Sequence, residues 1–195
     1  MRDKILNTAS DMFLNLGFKS VTMDDIAQEI GVSKKTIYKY YKNKQSLIEN
    51  TTASLHDSCL SAIKNIEDKK FNPIQENFEI QKVFKEMFKN VSASPIYQLK
   101  KYYPQVHEKN KEKEIGVFLE CFKENIKRGV SKGYYRKDTK IDLCAEFYFY
   151  LVLSVHENTI ENDRIPVIER QTLIYHTRAI ATSKGLQELE RQLQL

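Results

Sequence analysis

Six glycines and four prolines among 195 residues are too few for the many tight turns that a sandwich or barrel of short strands requires. That scarcity, beside abundant Lys, Glu, Ile, Leu, Phe and Tyr, points to an all-α fold. Long apolar runs are missing as well. The longest, Phe147 to Val155, is closed by Glu146 and His156 and is too short to cross a bilayer. The N-terminus enters a charged amphipathic pattern instead of a cleavable apolar segment, so a cytoplasmic location is expected. Cys59, Cys121 and Cys144 form an odd set without C-x-x-C spacing. They read as small core residues, since a redox-sensing thiol needs exposure and a positive neighbour. His56, His107, His156 and His176 are dispersed with no pair at ligand spacing, and no metal is expected. Phosphate-cradling glycine loops, nucleophile elbows and repeated carboxylate pairs are lacking too, so neither enzyme chemistry nor a cofactor is expected.

What is present is helical periodicity. Ile5, Ala9, Met12, Phe13 and Leu16 recur at three and four and predict a helix over 3–16, with Gly17 as a left-handed C-cap. Thr22-Met-Asp-Asp25 is a capping box that opens a second helix through Ile26, Ala27 and Ile30 to Gly31. Ser33 then offers an N-cap for a third helix, Lys34 to Tyr41, so two short helices flank the turn at Gly31-Val32. Asn43 caps a longer fourth helix striped by Leu47, Ile48, Thr51, Leu55, Cys59, Ala62, Ile63 and Ile66. Asn72-Pro73 and Ser94-Pro95 each place proline at a first helical position. A further helix is predicted over about 113–132, closed by Gly133, and Thr139-Lys-Ile-Asp142 reads as a second capping box opening a helix to about Asn158. One last long helix follows Pro166. The basic run from Lys100 to Lys113, mixed with glutamates, reads as a solvated face. Without a repeat or flexible linker, the division expected is 1–46 and 47–195, joined through the fourth helix.

A net charge of +5 suits an anionic partner, but the position of the charges says more. From Ser33 to Lys44 there are five lysines, three tyrosines, two hydroxyl residues and an asparagine, without one acid. On a helix, Lys34, Lys35, Thr36, Tyr38 and Lys39 form a polar surface around inward Ile37, where lysine meets guanine acceptors and a threonine methyl meets thymine. Lys34, Lys35 and Lys44 stand in first turns of helices, where the macrodipole disfavours a cation by about 0.3–1 kcal/mol each. An arriving phosphate reverses that sign. Tyr38 and Tyr40, taken singly, are equally well explained as partial core, but lysines on both sides suit their hydroxyls to phosphate oxygens.

Ile5, Phe13, Gly17, Thr22, Ile26-Ala27, Gly31-Val32-Ser33, Thr36-Ile37-Tyr38, Tyr41, Lys44 and Leu47-Ile48 together resemble the DNA-binding domain of the TetR family. The resemblance covers about the first quarter of the chain. It implies a three-helix helix-turn-helix domain followed by a larger helical ligand-binding and dimerisation domain. It also implies phosphate contacts at Thr22, Tyr38, Tyr40 and Lys44, and groove-facing roles for Lys34, Lys35, Thr36 and Lys39 beside the capping Ser33. Tyr41 stands where the family often has phenylalanine, a harmless exchange if its hydroxyl reaches the edge. A homodimer through the last two long helices is implied as well.

Leu143 to Val155 is apolar on nearly every side, and Ile165, Ile168, Thr172, Tyr175 and Ala179 make a stripe on the final helix. That pair suits a symmetric interface placing two reading helices about 34–36 Å apart on a palindrome. Phe84, Phe88, Tyr102, Tyr103, Phe118, Phe122 and Tyr148 are candidates to line an effector pocket, although burial alone explains each of them. The expected function is a ligand-responsive transcription regulator on double-stranded operator DNA, a repressor released by a small molecule that shifts the dimer between two spacings. The alternative is an architectural DNA binder of the same fold without an inducer.

Overall fold

In the computed structural model, which describes residues 1–89, 91, 94–158 and 164–194 apart from the side chains of 110–114, the chain runs through ten helices. They are α1 (Arg2–Leu16), α2 (Met23–Ile30), α3 (Lys34–Tyr38), α4 (Lys44–Glu67), α5 (Pro73–Met87), α6 (Pro95–Tyr102), α7 (Pro104–Ser131), α8 (Ile141–Glu157), α9 (Ile165–Ile180) and α10 (Ser183–Leu193). No described helix is long and apolar enough to cross a membrane. The all-α expectation holds. The helices belong to two units, Met1–Cys59 with Asn90–Glu112, and Leu60–Lys89 with Lys113–Leu195.

In the N-terminal unit, Ile5, Ala9 and Phe13 of α1 meet Ile26 and Ile30 of α2, Ile37 of α3, and Leu47 and Ile48 of α4 in one apolar core. Burying each of the larger side chains contributes about 1.5–3 kcal/mol. Leu99 of α6 and Val106 of α7 are buried in the same core. Residues 47–59, which the sequence reading assigned to the larger domain, also pack in this unit, as does the 90–112 segment.

The C-terminal unit centres on Ile74, Phe78, Ile126, Tyr135, Ala145, Tyr148, Leu173, Ile180 and Leu189. A polar knot lies within it. The Glu76 carboxylate, almost fully buried, is paired with the Arg128 guanidinium and accepts from Asn125 Nδ2 at 2.7 Å. Asn125 Oδ1 accepts from Asn77 Nδ2 at 3.2 Å, so the buried groups satisfy one another.

Five local expectations need correction. Helix α3 stops at Tyr38 rather than Tyr41, because the Ile37 carbonyl takes the amides of both Tyr40 (2.9 Å) and Tyr41 (3.0 Å) in a tightened last turn. Gly17 has φ 93° and ψ 145°, which is not the left-handed helical region. The Thr139–Asp142 box does not form, since the Asp142 carboxylate pairs with Lys123 at 2.8 Å and α8 begins without a side-chain cap. The last helix is broken at Ala181. There Thr182 N–H donates to Tyr134 O and Arg136 N–H to Ile180 O, and the Thr182 hydroxyl caps α10 by accepting the Gly185 amide. Helix α7 also starts earlier than expected, at Pro104.

Candidate nucleic-acid interface

The turn into α3 is built locally. Gly31 adopts φ 71° and ψ 38°, a left-handed conformation that glycine reaches without Cβ strain. Its amide and that of Val32 close α2 on the carbonyls of Gln28 and Ala27. Ser33 Oγ then accepts the Thr36 amide at 3.2 Å and shares a hydrogen bond with Thr36 Oγ1 at 2.9 Å. Fully buried Ile37 pins α3 to the core, which turns Lys34, Lys35, Tyr38 and Lys39 outward, with Tyr40 exposed just beyond the helix. Tyr38 and Tyr40 are 45% and 44% exposed, so both rings offer hydroxyls to solvent instead of filling the core.

Upstream, the capping box forms as read: Thr22 Oγ1 accepts the Asp25 amide and the Asp25 carboxylate accepts the Thr22 amide at 2.8 Å. Those bonds from Thr22, backbone first, hold the Asp25 carboxyl below the usual aspartate range. Thr22 itself is exposed at the start of α2. Lys44 is the first residue of α4 and half-buried. Its ammonium donates to Lys19 O at 3.1 Å and stands 5.9 Å from the Phe13 ring and 5.7 Å from the Tyr103 ring.

Two expectations about single side chains are changed. Lys34 is paired with Asp24 at 2.7 Å. Both groups are exposed, and a surface pair of this kind is weak enough for a phosphate to displace. The Tyr41 hydroxyl does not reach the edge, because the side chain is buried with its oxygen outside hydrogen-bonding geometry and the Arg2 guanidinium 6.0 Å from its ring. Burial raises its pKa.

An exposed five-residue helix behind a glycine turn, ringed by lysine and hydroxyl groups and backed by an apolar helical core, has the form of a helix-turn-helix reading head. Residues 5–51 match the family model described as bacterial regulatory proteins, tetR family. The 5–51 segment is a TetR-family DNA-binding domain. Across more of the chain, the KstR2 transcriptional repressor of Mycolicibacterium smegmatis is 24% identical over 160 residues, covering 75% of this chain and 73% of that one. IcaR of Staphylococcus aureus, a negative transcriptional regulator of the icaADBC biofilm operon, is 25% identical over 130 residues, covering 62% and 70%. Among solved structures, a transcriptional regulator from Cytophaga hutchinsonii superposes with a TM-score of 0.77 at 19% identity, covering 92% of this chain and 98% of that one. That likeness extends the shared helical fold into the second unit.

The seven aromatic pocket candidates are not brought together as one group. Tyr102 and Tyr103 belong to the N-terminal unit, and Tyr103 packs against its core. In the C-terminal unit Phe122 meets Tyr148 edge to face at 4.9 Å, and Tyr148 stacks on His176 at 4.5 Å. Phe84 lies against Phe88 at 6.4 Å, while Phe118 is half-buried on α7. Cys59 is buried, and burial pushes the Cys121 and Cys144 thiols up, away from the reactive thiolate. Gln98 and His176 were missed by the sequence reading as polar residues of interest. Nothing in their local spacing marks either one.

Proposed function

We propose that the chain is a cytoplasmic, homodimeric repressor that binds a palindromic operator and is released by a small molecule. The observation that carries this reading is the outward surface of α3 and its flanks. There Thr22, Ser33, Lys34, Lys35, Thr36, Tyr38, Lys39, Tyr40 and Lys44 offer cations and hydroxyls around one buried isoleucine. Lys34, Lys35, Thr36 and Lys39 are assigned to the groove, and Thr22, Tyr38, Tyr40 and Lys44 to the phosphates on either side. Repression is supported by relatives that are themselves repressors.

Dimerisation is supported by apolar side chains that the protomer leaves in water. Leu143, Phe147, Tyr150 and Leu151 lie at helical spacing on α8 and are exposed, as are Val167 and Tyr175 on α9. The earlier division into 1–46 for DNA and 47–195 for ligand and dimer is kept as the functional assignment. The effector is assigned to the aromatic side chains of the C-terminal unit, with Phe122 and Tyr148 at its centre. An effector favouring the released spacing weakens DNA binding by the factor by which DNA weakens effector binding.

The test is footprinting on the DNA upstream of the protein's own gene at several salt concentrations, with wild type and Lys44→Ala compared. Loss of that phosphate contact flattens the log–log salt slope by about 0.9 per lysine, doubled in a dimer. An unchanged slope removes Lys44 from the interface, and absence of any protected palindrome overturns the reading.

A further inference from the structure

The bend between α1 and α2 is held by a segment from far along the chain. At Gly17, a Cβ would come within 2.9 Å of Gln98 Oε1, so the glycine makes room for that amide. Gln98 is buried, and its Oε1 accepts the Phe18 N–H at 2.9 Å across a separation of 80 residues. From the same segment, the Tyr103 hydroxyl donates to Phe18 O at 3.2 Å. Both backbone groups of Phe18 are thereby fixed.

The next carbonyl, that of Lys19, receives the Lys44 ammonium at 3.1 Å. The Tyr103 ring faces that same ammonium at 5.7 Å. An ammonium has three donors, and the Lys19 carbonyl occupies one. The side chain is held in one place while part of it stays open to solvent. A lysine already ordered loses less rotamer freedom when a phosphate arrives.

We infer that Gln98 and Tyr103 are positioning residues for DNA binding: they hold the Phe18–Lys19 bend and seat the Lys44 ammonium for a phosphate oxygen. The inference rests on reading Lys44 as a phosphate contact. It gives a role in the reading head to Tyr103, which the sequence placed in a solvated run and an effector pocket, and to Gln98, which no local pattern singled out.

Because phosphate contacts are indifferent to sequence, the test needs no operator. Fluorescence anisotropy with a random duplex of about 30 base pairs, long enough for two half-sites, is titrated with full-length protein at several low salt concentrations. The proteins are wild type, Lys44→Ala, Tyr103→Leu, Tyr103→Phe, Gln98→Ala and the double variant Lys44→Ala/Tyr103→Leu, each with its melting curve. Tyr103→Leu is expected to weaken binding about two- to fivefold, the range of an exposed cation–ring contact, and to flatten the salt slope part of the way towards Lys44→Ala. Tyr103→Phe keeps the ring and is expected to retain most of the slope, which serves the test should the leucine variant fold poorly. Gln98→Ala, which frees the bend, should weaken binding in the same direction. In the Lys44→Ala background, Tyr103→Leu should cost nothing further. Independent, multiplying losses in the double variant, or a wild-type slope in Tyr103→Leu, overturn the inference while leaving the DNA reading intact. A wild-type slope in Lys44→Ala, or no binding by wild type at low salt, overturns both.

Discussion

In the N-terminal unit the charged side chains around α3 face solvent, and the buried polar residues Thr51 and Gln98 are uncharged. The C-terminal unit inverts this, burying a carboxylate at Glu76 while Phe147 and Tyr175 stand 64% and 69% exposed. The contrast teaches where each unit's partner lies. A surface of cations over an apolar core suits an anion that arrives and leaves, and its strength follows salt. An apolar stripe on α8 and α9 suits a second protein surface, while the polar knot ties α5 to α7 within the same unit.

The comparison can be broken first at the knot. Arg128→Ala leaves the Glu76 carboxylate buried without its cation and should destabilise the C-terminal unit by about 3–5 kcal/mol, read by urea unfolding. Glu76→Gln/Arg128→Met should recover most of that loss. Equal stability of Arg128→Ala and wild type would remove the knot as a staple.

His176 sharpens the comparison next. Burial lowers its pKa from the ordinary 6.5 to about 4, so the folded protein holds it neutral where an unfolded chain takes up a proton. Stability is therefore full above pH 6.5, falls as pH drops from 6.5 towards 4, and levels off below that. The expected loss is about 3 kcal/mol. His176→Phe should flatten the curve in this window, as followed by denaturant midpoints, and an unaltered slope would assign the window to other groups.

Smallest in free energy is the exposed stripe. Phe147→Glu should weaken self-association about hundredfold, close to 2.7 kcal/mol, by forcing a charge into the contact. Sedimentation equilibrium reads this, and the protomer's own unfolding should stay unchanged because the side chain is already in water. If wild type is a monomer at micromolar concentration, the stripe has another purpose.

Legibility in the sequence followed the range of the interactions. Thr22–Asp25, Gly31 and Ser33 were readable because each acts on backbone within three residues of itself. Thr139–Asp142 has the same pattern and failed, since Lys123 from α7 offered Asp142 a charged partner. The break between α9 and α10 had one local sign, Thr182 as a cap, but its cause is the 134–136 strand-like contact with Ile180 and Thr182.

The sequence by itself determined the helices, most of their caps, the inward face of α3 and the cation-rich surface opposite it, because 3.6-residue periodicity and capping chemistry are local. Only the tertiary structure decided that Gln98 and Tyr103 belong beside Phe18 and Lys44, that Lys34 rests on Asp24, and that Glu76 and Arg128 meet inside the protein. Those pairings join residues 10 to 85 positions apart, and their geometry is set by how helices pack rather than by any pattern within one of them.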